Sequence, residues 1–109
     1  MPMESIIIYD ADDKRFVQIK ARKVFFAIDG FEGVPFYVHP SYKAKLYHSV
    51  TCPKTGMKLG TGLTEERALY AAGLLLEDRG RKAYDRAVDA QIKKFGEPKL
   101  NEDTTDCHG

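Results

Sequence analysis

The chain has no run of about 18 apolar residues, the length a membrane-spanning helix needs. Its longest uncharged stretch near the start, Ser5 to Tyr9, is too short and wrongly flanked for a secretory signal. The expectation is a cytoplasmic protein with no membrane partner. Cysteine is scarce as well. Cys52 and Cys107 are the only two, too few for a disulfide framework, and they are expected as free thiols in a reducing compartment. No internal repeat occurs, no serine has a base at catalytic spacing, and no nucleophile elbow is present. These gaps argue against an enzyme, and no cofactor is expected.

What is present suits one small globular domain. With 109 residues, 43% hydrophobic and 30% charged, the chain is long enough for one core and too short for two. The net charge of +1 hides an uneven distribution. Residues 1–13 carry −4, residues 14–58 carry +7 and the remainder carries −2, so the basic charge falls on the strand-rich part.

Ser5–Tyr9 is β-branched and leads into the turn-prone Asp10-Ala11-Asp12-Asp13, which marks a first strand. Phe16 to Ile28 alternates with period two, but Val17, Ile19 and Ala21 fall out of step with Val24, Phe26 and Ile28. The slip across Arg22-Lys23 predicts a bulge, bend or tight turn. Asp29 to Gly33 is a turn. Val34 to His39 is a strand that Pro35 marks as an edge strand or as irregular at its start. Leu46 to Thr51 and Met57 to Leu59 form a hairpin around Pro53-Lys54-Thr55-Gly56, and Gly60-Thr61-Gly62 reads as a loose entry to a helix.

Thr64 is a good N-cap, with Glu65 and Glu66 complementing the helix dipole. Two apolar stripes succeed it at helical spacing, and their phases predict a break at Gly80 between two helices, with one bent helix as the alternative. Leu69, Ala72, Leu76, Val88 and Ile92 are the expected core positions. The fold class is therefore α+β: a mostly antiparallel N-terminal sheet of four to six strands packed against one or two C-terminal helices. Residues 1–98 form the domain and 99–109 a polar tail. The ββα order of 46–79 resembles the second half of a double-stranded-RNA-binding domain. Such domains carry a lysine cluster where this helix opens with Glu65-Glu66-Arg67, and no family is assigned.

His48 and Cys52 would share a face only on a helix. On a strand they stand about 13 Å apart, too far for one zinc ion without help from His39 or from Cys107-His108, and no metal is expected. Gly56, Gly60 and Gly62 before a helix N-terminus, with Lys54 and Lys58 nearby, are a secondary candidate for an anion site, although they match neither a Walker loop nor a dinucleotide fingerprint. Asp10, Asp12 and Asp13 begin like a calcium loop but lack its later acidic ligand and its glycine; they read as turn residues.

Two functional readings remain. The first is a non-enzymatic binding module, regulatory or inhibitory, of the kind found among small phage and mobile-element accessory proteins. It would engage a protein partner through the anchors Phe31, Tyr37 and Tyr47, expected to stand exposed beside the sheet. The alternative is nucleic-acid binding by the basic sheet, through Lys20, Arg22, Lys45, Lys54 and Lys58 with Tyr42 stacking. Its counter-reading is a solvated sheet face with lysines guarding the edges.

Overall fold

A computed structural model describes residues 2–100 of the chain. The expected tail from 101 onward, with Cys107 and His108, lies outside the described residues. The elements run β1 (Glu4–Asp10), β2 (Arg15–Val24), β3 (Phe36–Pro40), β4 (His48–Thr51), β5 (Lys58–Gly62) and α1 (Glu65–Phe95). The five strands form one antiparallel sheet in sequential order, followed by the helical third. This is the expected α+β arrangement.

The parity slip in β2 has a different cause from the bulge or turn expected there. The strand runs unbroken but changes partner, pairing with β1 through Ala21 and with β3 from Arg22 onward. Two cores lie on opposite faces of the sheet. Val17, Ile19 and Ala21 serve one, with Ile6, Ile8 and Tyr37. Val24, Phe26 and Ile28 pack into the other, built on Phe36, Val38, Val50 and the helix. A residue that serves a new core must switch parity, because side chains alternate faces. The irregularity in pairing falls instead between Val50 and Thr51.

Two further expectations are corrected. β3 is the central strand, not an edge, and Pro35 is harmless because it precedes the first paired residue. Gly60-Thr61-Gly62 belongs to β5 rather than to a loose linker. The backbone N–H of Tyr9 donates to Gly56 O at 2.9 Å. This bond ties β1, at one edge of the sheet, to the turn leading into β5 at the other, so the sheet curls on itself.

Thr64 caps α1 as its sequence implies: its backbone is extended and its hydroxyl accepts from Arg67 N–H at 3.1 Å. The Arg22 guanidinium, on the helix side of β2, pairs with Glu65 in the first turn. Gly80, at φ 80° and ψ 171°, interrupts the helical path, and the break expected from the two stripes is present. Gly96 closes the helix at φ 84°, its N–H donating to Ile92 O. Ala72, Leu76 and Val88 are buried, while Leu69 and Ile92 are half-buried against the same core. Leu76→Ala is expected to cost about 2 to 5 kcal/mol, read as a lowered urea midpoint with an unchanged m-value.

Candidate functional site

The alternation that builds β3 and β4 puts polar residues on the face turned away from the helix. His39 opposes Ser49, Tyr37 opposes Thr51, and Ser49 in turn opposes Thr61 of β5. Val38 and Val50 point the other way, into the helical core. The polar row floors a cleft of about 560 Å³ whose walls come from the β1–β2 turn and the loop 41–47.

The floor is buried and hydrogen-bonded. His39 is 3% exposed and Thr51 2%. The imidazole Nδ1–H donates to Pro40 O at 2.9 Å, which leaves Nε2 as the acceptor for the Thr51 hydroxyl at 2.8 Å. Ser41 and Ser49 share a hydroxyl–hydroxyl bond beside them. Burial pushes the His39 pKa below its ordinary value; the bond to Pro40 opposes this, and the nearby His48 and Lys58 add to it.

A lowered histidine pKa favours the fold at neutral pH over acid. The unfolded chain takes up this proton first, near the ordinary histidine pKa of about 6.5, so stability is full above that value and falls as pH drops toward the folded value. The urea midpoint is expected to be lower at about pH 5.5 than at about pH 7.5, and His39→Gln is expected to flatten that difference. Asp10 acts in a separate window, below about 3.9. Burial raises its carboxyl, but the Lys43 ammonium and the backbone N–H groups of Asp13 and Asp12 outweigh this and hold it low.

Lys43 clasps the two walls together. Its ammonium lies 3.2 Å from Asp10 Oδ2, 3.1 Å from Asp13 Oδ2 and 3.9 Å from Asp12 Oδ2. Tyr42 and Tyr47 line the cleft and are 39% and 42% exposed. Leu46, in the same loop, is 81% exposed.

The expected anchors separate in the structure. Tyr47 is exposed at the cleft. Phe31 is fully buried, not exposed: hydrogen bonds from its N–H to Ile28 O and from Val34 N–H to its own carbonyl fold the turn inward and carry the ring into the helical core. Tyr37 is buried too. Its hydroxyl donates to Glu4 Oε1 at 3.0 Å, and its ring packs in the β1–β2 core.

The basic set also divides. Tyr42 and Lys58 line the cleft, and Lys45 sits on its loop. Lys20 and Lys54 do not line it, and Arg22 is paired with Glu65 on the helix side. No single basic sheet face forms.

Gly60 and Gly62 have a packing role: a side chain at either would collide with the helix. Cys52 is a buried free thiol in hydrogen-bond contact with the Tyr84 hydroxyl at 3.1 Å. Among the described residues no cluster of three metal-ligating side chains forms, and no helix is long and apolar enough to cross a membrane.

Ser41, Ser49 and Thr51 escaped sequence reasoning as site residues, and Asp10, read there as a turn residue, ends β1 and lines the cleft. The available signal was polar side chains at alternate positions of two neighbouring strands, opposite the apolar ones. No protein-family model matches the chain, and no curated protein or solved structure matches it.

Proposed function

We propose that this chain is a small non-enzymatic binding module that engages a protein partner through the rim of the cleft, in a regulatory or inhibitory role. The observation that carries the reading is the loop 41–47. Leu46, Tyr42 and Tyr47 expose apolar surface within six residues, and binding energy concentrates in such side chains, aromatic ones above all. His39 and Thr51 lie buried at the floor of the cleft, 3% and 2% exposed, so the surface open to a partner is the rim. Tyr42, Lys45 and Lys58 at the same place favour nucleic acid as a second reading.

A photo-crosslinking residue at position 46 separates the two. In extracts of cells that make the protein it is expected to give discrete adducts that resist nuclease and yield to protease, while the same residue at Lys82 gives none. Adducts lost to nuclease, or lost when Lys45 and Lys58 are both replaced by glutamate but not when Tyr47 is replaced by alanine, favour nucleic acid and overturn the leading reading.

A further inference from the structure

β1 lies at an edge of the sheet, and an edge strand carries backbone groups that no neighbouring strand pairs. Along an antiparallel strand the N–H and C=O of one residue point to the same side, and that side alternates from residue to residue. Tyr9 N–H points away from β2, since it donates to Gly56 O; Ile7 and Ser5 therefore point away too. Gly56 closes the edge only at its Tyr9 end, where a Cβ on it would lie 3.1 Å from both Tyr9 N and Ile7 O. Among the described residues, no backbone group of a turn or loop bonds to Ser5 or Ile7. Beside these two residues the space between the sheet edge and the end of α1 opens into a groove of about 580 Å³. Ile7, Pro53, Ile92 and Pro98 give it apolar walls, and its charged side chains, Lys54 and Glu97, are opposite in sign and leave it neutral.

We propose that the β1 edge at Ser5–Ile7 is a second binding site, apart from the cleft rim, and that it takes an extended, uncharged segment of a partner protein as an added strand. The outward N–H and C=O of Ser5 and the N–H of Ile7 pair with the backbone of that segment. Its alternate side chains meet the Ile6 and Tyr37 core on one face of the sheet and Ile92 on the other, so main-chain bonds give affinity and the two faces give selectivity. The neutral lining matches a segment without charge. A second copy of the chain suits the edge less well. The open edge runs only from Glu4 to Ile7 before Gly56 closes it, and pairing two such short edges buries far less than the roughly 1,200 Å² of a stable interface. The partner copy would also bring its own 53–54 turn and helix end into the same groove.

The test titrates the full chain with the capped peptide Ser-Thr-Val-Ser-Val-Thr-Ser and follows the backbone amide resonances and hydrogen exchange of β1, Tyr42 and Tyr47. In the free chain the Ser5 and Ile7 amides are expected to exchange freely, while those of Ile6 and Ile8, turned toward β2, are protected. The peptide is expected to shift the Ser5 and Ile7 resonances and to slow their exchange. The same peptide N-methylated on its central Val-Ser-Val, which removes the N–H groups of both strand edges, should bind about tenfold more weakly. Ile7→Pro removes the outward N–H at a position where an edge strand tolerates proline, and should weaken binding by a similar factor; Ile7→Val, which keeps the N–H, should not. The methylated peptide tests the unaltered chain and so decides the matter even if Ile7→Pro does not fold.

Equal binding of the methylated and unmethylated peptides, or Ser5 and Ile7 amides left unmoved by peptide at about 1 mM, would each overturn the proposal. Shifts confined to Tyr42 and Tyr47 would overturn it as well, while leaving the cleft rim as a protein-binding surface. Protection of Ser5 and Ile7 that appears without peptide and grows with protein concentration would give the edge to a second copy of the chain, against the occupant proposed here. Protection that is independent of concentration would show the edge already covered, and the site would fail.

Discussion

Phe31→Ala is expected to lower folding stability by about 3 to 5 kcal/mol, the usual range for emptying a buried aromatic site. The ring is fully buried, with centroids 5.3 Å from Tyr84 and 6.3 Å from Phe36, and the Arg81 guanidinium sits 5.8 Å from its centre. Removing it therefore takes away aromatic contacts and a cation–π partner along with apolar area. Equilibrium unfolding in urea, followed by far-UV circular dichroism, measures the loss. A surface anchor behaves in the opposite way: stability would hold while partner affinity fell. An unchanged urea midpoint would mean the turn 29–33 does not pack as described.

Gly60→Val is expected to yield no folded protein. An ideal Cβ at this position would lie 2.6 Å from Ala72 N, 2.9 Å from Ala68 O and 3.0 Å from Ala72 Cα. Overpacking a core costs typically about 1 to 3 kcal/mol when side chains can move aside. Here the atoms in the way are mostly helix backbone, so the cost exceeds that range, against a total stability of about 5 to 15 kcal/mol for a typical domain. Loss of the cooperative thermal transition is the readout. Gly62→Val meets the same helix one turn earlier, at 2.6 Å from Arg67 Cβ and 2.7 Å from Ala68 N, and should behave alike. A normal transition in Gly60→Val would show that the helix does not cross β5 this closely.

Signals tied to local chemistry were legible in the sequence. The Thr64 cap, the Gly80 break and the strand-then-helix order arise from capping, backbone freedom and periodicity, which act over a few residues. What a single strand could not reveal was its place in the sheet. Pro35 reads as an edge signal, and only the pairing partners on both sides of β3 show that it sits just outside the ladder. Phe31 reads as exposed because its neighbours Gly30, Glu32 and Gly33 are turn residues; its burial depends on Phe36 and Tyr84, the latter far along the chain. The candidate cleft was hidden for the same reason. Asp10, Lys43, Ser49 and Gln91 meet only through tertiary folding, and a polar residue on a strand looks solvated until something covers it.

The interruption at Gly80 also settles a matter of phase. Ala68, Ala72, Leu76, Tyr84 and Val88 are buried, and Ile92 packs against them, all at intervals of four or eight residues. On a helix with about 3.6 residues per turn, each step of four advances the buried stripe by about 40°. Carried from Ala68 to Ile92 without a break, the stripe would wind through about 240° and most of it would leave the sheet. Gly80 occupies the missing fourth place of the series, and its non-helical backbone resets the angle there. Each half then drifts by only about 80°, within the width of one packed face. A repeat of four can thus stay against one sheet for twice the length that a continuous helix would allow, and that extra reach brings Gln91 to the cleft and Phe95 to within 4.8 Å of Tyr9.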